Sequence, residues 1–217
     1  MPNNIKKYKM RNSKNIIALI ALIICFSCKA QSPVIPIYER EEILPPVNSY
    51  EKDIDNDFNK FIGTWKWENG ATSIMFEFDK LVMYYDSREE RYMDRLIGEI
   101  KYIENGTEIM DTRPINTNTT DIYETSTITD LTITTLNRGF PPCNECPSGT
   151  RFIRASYHDP LVPVFGTLIM AHFTDSNGVE KIRMRIVASF VDPDAENHNT
   201  QPLELTIPEG IYTFTKQ

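Results

Sequence analysis

The stretch 64-TWKWENGATSIMFEF-78 decides the fold. Trp65 and Trp67 alternate with Lys66 and Glu68, and Ile74, Phe76 and Phe78 alternate with Met75 and Glu77. A period of two marks a strand with one buried face. Between the runs stands Asn69-Gly70, a dipeptide that readily takes the positive φ angles of a tight hairpin turn. The stretch predicts two antiparallel strands that bury aromatic side chains on a shared face.

The same pattern continues toward the C-terminus. KLVMYYD from Lys80 is β-rich, and DRLIGEIKYIENGTEIM from Asp94 alternates through Ile100 and Tyr102 before turning at Asn105-Gly106. TDIYETSTITDLTITTL from Thr120 reads as strand because its Thr and Ile side chains pack well on a pleated surface. Its alternation breaks between Ile128 and Leu131, which predicts a bulge or turn there. GTLIMAHFTDSNGVEKIRMRIVASF from Gly166 is a hairpin about Asn177-Gly178, and PEGIYTFTKQ closes the chain with a strand. Roughly eight to ten strands at close spacing predict an all-β fold, an antiparallel barrel or sandwich. No helical stretch is long enough for a parallel crossover. Before the first Trp, a short helix is expected around SYEKDIDNDFNKFIG, with Ser49 as its cap and Gly63 as its stop.

The N-terminus carries an address. Lys6, Lys7, Lys9, Arg11 and Lys14 precede an apolar run from Ile16 to Phe26, which ends at Ser27-Cys28. A basic region, a short apolar region and a small residue before the cut describe a signal peptide. The run is shorter than the ~20 residues of a spanning helix. Ser27-Cys28 resembles the bacterial lipobox, with Cys25 where that motif prefers Leu, so Cys28 is expected to become a lipidated N-terminus. The expected organisation is a signal peptide over 1–27, a lipidated N-terminus with a Pro-rich tether over 28–49, and one barrel domain over 50–217. Loss of the five basic residues takes the net charge from −7 to −12. Nucleic acid is therefore an unsuitable partner, since its binding needs a basic face. The expected location is the envelope of a Gram-negative bacterium, anchored through lipid and facing the periplasm.

Two resemblances sharpen this reading. Phe61, Gly63 and Trp65 in DFNKFIGTWKWENG are similar to the lipocalin entry motif. The likeness implies a lipocalin-like β-barrel behind a short N-terminal helix, with Trp65 plugging the closed end. The chain also resembles an uncharacterised lipoprotein family from flavobacteria-like Gram-negative species. The matching elements are SCKAQ (27–31), the F-x-G-T-W-K run from Phe61 to Lys66, CNEC (143–146), and Pro208, Gly210, Tyr212, Lys216 and Gln217 at the end. That family implies no activity.

FPPCNECPSG is the one motif with sharp chemistry. A disulfide between Cys143 and Cys146 is the expected state in an oxidising compartment. Half of a zinc site would need two further ligands, and His158, His172 and His198 stand at scattered spacings as ordinary surface or core side chains. A thioredoxin-type centre would need a helix N-terminus, whereas Pro141, Pro142 and Pro147 flank this motif. Free thiols are the remaining alternative. The chain has no G-x-S-x-G, H-E-x-x-H or P-loop. SREERYMDR from Ser87 reads as a solvated hairpin tip, and DPDAEN from Asp192 as a polar loop. No catalytic residue, metal site or cofactor is expected. The reading is a non-enzymatic binding module for a small apolar ligand or a partner protein, with a redox or metal-binding role for Cys143-Cys146 as the alternative. A purely structural envelope role stands beside these. An open apolar interior would favour the ligand, and a filled one a partner.

Overall fold

Asn69-Gly70 is the turn between β3 (Gly63–Asn69) and β4 (Thr72–Asp86), with Trp65 opposite Phe76 and Gly63 opposite Phe78. The computed structural model describes residues 33–38, 45–135, 141–196, 199–200 and 202–217. The expected signal peptide, Cys28 and His198 lie outside the described residues, as do residues 29–32 and 39–44 of the expected tether. The remaining strands are β1 (Val34–Pro36), β2 (Tyr50–Lys52), β5 (Arg91–Glu104), β6 (Thr107–Asp111), β7 (Ile128–Thr134), β8 (Phe152–His158), β9 (Val164–Thr174), β10 (Glu180–Val191) and β11 (Gly210–Lys216).

Eight of these, β3, β4, β5, β7, β8, β9, β10 and β11, pair antiparallel in chain order and close into a lipocalin-like barrel. The ring closes through two short seams. β11 meets β3 at Thr215 opposite Lys66 and Lys216 opposite Trp65, and β7 meets β5 at Ile128 opposite Gly98 and Thr129 opposite Ile97. The second seam is short because the far edge of β5 is shared. β2 takes Tyr92 and Met93 in parallel pairing, and β6 takes Lys101 to Glu104. The expected break after Ile128 is a register shift between Asp130 and Thr132.

The lumen is occupied by side chains. Trp65, Ile74, Phe76, Leu96, Ile100, Tyr157, Met170, Met184 and Phe214 belong to one buried cluster, each 1% exposed or less. Rings meet within it, with Phe76 and Phe214 centred 5.2 Å apart and Trp65 reaching His172 on β9 at 5.9 Å. Gly98 faces this cluster because the Phe78 ring lies over it. A Cβ at Gly98 would sit 2.6 Å from Phe78 Cδ1.

Three segments differ from expectation. The helix expected over 49–63 is a single 3-10 turn, Asp57–Lys60. Tyr50–Lys52 is taken into the sheet instead, and Asn56 has a φ of 56°, outside the helical range. The Asp53 carboxylate accepts the N–H groups of Asp57 (2.7 Å) and Phe58 (3.0 Å), which fixes the turn. Within the expected tether, Val34–Pro36 pairs with β2, and Ile37 is buried. One compact unit therefore begins at Val34. Finally, Ile122–Thr125 is one turn of helix inside the run read as strand, because the Asp121 side chain caps it through Tyr123 N–H at 2.9 Å.

Candidate functional site

The 3-10 turn, the start of β3 and the ends of β9 and β11 bring the predicted barrel-entry residues together at one end of the barrel. Phe58, Phe61 and Trp65 are fully buried there. Trp65 Nε1 donates to the Phe61 carbonyl at 2.6 Å. Gly63 has a φ of 114°, a backbone conformation that side chains with a Cβ rarely adopt, so glycine is required between those two aromatics. Lys216 on β11 places its ammonium 5.5 Å from the Trp65 ring and pairs with Glu180 at 2.7 Å.

Glu180 also meets His172 Nε2 at 3.2 Å. Burial pushes the His172 imidazole below its ordinary value of 6.5, and Glu180 only partly opposes this. The folded state thus binds a proton less readily than the unfolded chain, so stability falls as pH drops through the region around and below 6.5. His172→Gln should flatten the fall in melting midpoint between about pH 7.5 and pH 5.5. An unchanged slope in the variant would contradict this assignment.

Beside this end lies a cleft of about 540 Å³, lined by Asp57, Lys60, Glu145, Arg151 and His172 among others. Its rim is the loop that carries the predicted cysteines. Cys143 and Cys146 form a disulfide, with Cα atoms 5.3 Å apart. Neither sulfur is then a thiolate ligand for metal. Among the described residues, no three of His, Cys, Asp and Glu group as a metal site. The loop is tied down by charge. Arg151 reaches Asp55 and Asp57 at 2.5 Å each and lies 4.0 Å from the Tyr38 ring, and Glu145 meets Arg183 at 3.2 Å. The structure thus gathers the barrel-entry motif, His172 and the disulfide loop at one end, while His158 stands apart on β8.

The larger surprise is the run SREERYMDR. Ser87 to Glu90 are an exposed turn, as expected, but Arg91, Asp94 and Arg95 are 5%, 1% and 5% exposed. Asp94 accepts from Tyr50 Oη (2.6 Å), Asp53 N–H (3.0 Å) and Met83 N–H (3.0 Å), with Lys80 3.7 Å away. It therefore ties β2 and the capping Asp53 to the bulge in β4. Arg91 pairs with the buried Glu51 at 2.8 Å. Arg95 lies between Asp86 (3.4 Å) and Asp130 (3.5 Å) and donates to Tyr123 Oη at 3.0 Å. Burial alone would lower its pKa, but Asp130, Tyr123 and Asp86 outweigh that and hold it above its ordinary value. A signal for this burial stands in the sequence, since Met93 and Ile97 occupy one register of β5 while Leu96 and Ile100 occupy the other.

A family profile matches residues 10–217. The chain belongs to the family of unknown function DUF6705. No curated protein and no solved structure matches it. For this DUF6705 chain the candidate site is therefore defined by its own geometry: a barrel end where Trp65 is buried and a polar cleft rimmed by the disulfide loop.

Proposed function

We propose that this DUF6705 chain is a lipid-anchored cell-envelope protein that acts as a non-enzymatic binding module through its outer surface, with a partner protein as its target. The observation that carries this is the occupied lumen, where Trp65, Phe76, Tyr157 and Phe214 take the space a small apolar ligand would fill. Anchoring is supported by the order of basic residues, apolar run and Ser27-Cys28, and by the resemblance of SCKAQ to envelope lipoproteins. The redox alternative gains little support, because Cys143 and Cys146 sit in a turn and not at a helix N-terminus that would lower a thiol pKa.

Cys28→Ala should move the protein from the detergent phase to the aqueous phase in phase partitioning. Unchanged partition would remove the anchor. For the binding role, a photo-crosslinking side chain at Phe190, which is 51% exposed, should give a discrete protein adduct in cells. Saturable binding of a fluorescent fatty acid that quenches Trp65 would place the function in the lumen instead.

A further inference from the structure

We propose that a second cleft, on the outer wall where β7 meets β8, is a binding site for a neutral saccharide ring. This goes beyond the partner-binding role above and rests only on the outer surface being the working one. The cleft encloses about 260 Å³ and is lined by Tyr123, Ser126, Thr129, Ser156, His158 and Phe165, with Arg88 at its edge. That is below the ~300–1,000 Å³ of pockets for drug-sized ligands, so it takes one sugar ring at a time, and further rings of an oligomer stay outside it.

Its chemistry comes from two rows that the strand register sets side by side. The first is aromatic. His158 on β8 stands opposite Phe165 on β9, and Phe165 opposite Phe190 on β10. Their rings are stacked, 4.7 Å and 4.9 Å apart with interplanar angles of 16° and 20°. These separations match the spacing between strands, roughly 4.8 Å, so the ring normals run across the sheet. Phe165 is covered on both faces, and the stack ends at His158. The next strand beyond His158 is β7, and His158 N–H donates to the Thr127 carbonyl at its near end. That bond is between backbones and sets Thr127 beside His158, and both residues line the cleft.

The second row is made of hydroxyls. Thr129 on β7 stands opposite Ser156 on β8, and Ser156 opposite Thr167 on β9. Thr167 Oγ1 is engaged with Ser189 at 2.7 Å. Ser126 is 8% exposed and its hydroxyl has no hydrogen-bond partner among the described residues. A buried hydroxyl without a partner is unusual, and Ser126 lines this cleft. Hydroxyls both donate and accept, and a ring bearing several hydroxyls returns both functions. A flat apolar face beside such a row fits the two surfaces of a pyranose, whose C–H groups lie against an aromatic ring while its hydroxyls point outward. Arg88 is held by Asp121 at 3.0 Å and lies over the Tyr123 ring at 4.4 Å. Its charge is already matched, which favours a neutral sugar over an acidic one.

The test uses the full-length protein in detergent, titrated with glucose, N-acetylglucosamine and the β-1,4-linked tetramer of each, read by saturation-transfer NMR and calorimetry. At least one should bind saturably, with a Kd on the order of 1 mM or tighter. His158→Ala and Ser126→Ala should each weaken that binding about tenfold or more while circular dichroism and the melting midpoint stay close to those of the parent. Absence of saturable binding by all four sugars overturns the site, as do folded variants that bind as the parent does. A protein that still gives the Phe190 crosslink but binds no sugar overturns the saccharide site alone and leaves the partner-binding role in place.

Discussion

Arg95→Leu should lower the unfolding free energy by about 3–5 kcal/mol, the range for removing one member of a buried ion pair. Arg95 is the cation that Asp86 and Asp130 share on the outer face of β5, and both carboxylates are at least as buried as it is. Without it, two acids stay in a poorly solvated place with like charges facing one another. Their hydrogen bonds only partly compensate. Asp86 accepts from Tyr123 Oη (2.8 Å) and from Arg88 and Glu89 N–H, and Asp130 accepts from Leu96 N–H (2.9 Å). A second signature follows from protonation. Burial would raise the Asp86 pKa, but Tyr123, the two N–H groups and Arg95 hold it below its ordinary value. A depressed carboxyl stabilises the fold above its unfolded pKa and loses that effect as pH falls through the folded one. Losing Arg95 should therefore also move acid unfolding to higher pH. Urea unfolding at neutral pH and acid titration check both, and a loss under about 1 kcal/mol would show that the cluster is a solvated one.

Trp65→Ala should cost about 3–5 kcal/mol, the range for truncating a large buried aromatic. The indole is fully buried, packs edge-on against His172, lies beneath the Lys216 ammonium and donates to the Phe61 carbonyl. Its removal opens a cavity where the β11–β3 seam, only two residue pairs long, closes the barrel. The 3-10 turn that carries Phe58 and Phe61 should loosen with it, seen as faster amide exchange at Phe58 to Phe61. A melting midpoint equal to that of the parent would place Trp65 outside the structural core.

The strands were legible because one-face burial writes itself as alternation, and Asn69-Gly70, Asn105-Gly106 and Asn177-Gly178 mark turns that few other residues can make. Chain order then sufficed for most of the ring, since neighbouring strands pair. The buried charges were not legible in the same way. A carboxylate reads as solvent-facing unless its cover is known. The cover of β5 comes from Tyr50–Lys52, which read as part of a helix, and from Thr112, Tyr123 and Thr127, the last two in a run that read as strand. Only tertiary pairing brings Asp53, Lys80 and Asp94 together. The Cys143–Cys146 disulfide was expected from the spacing of the pair together with an expected oxidising compartment, and the bridge is formed. The His158–Phe165–Phe190 stack was not, because it depends on the register of three strands, and a slip of one residue would turn every one of those rings to the other face.

The central claim is that the barrel is filled by its own side chains and works from outside. Native mass spectrometry of the protein purified from its own membrane tests it most directly. The account predicts a chain beginning at Cys28 with an attached diacylglycerol, the Cys143–Cys146 bridge intact, and no apolar small molecule carried along. A stoichiometric apolar ligand that survives purification and leaves only on unfolding would contradict it.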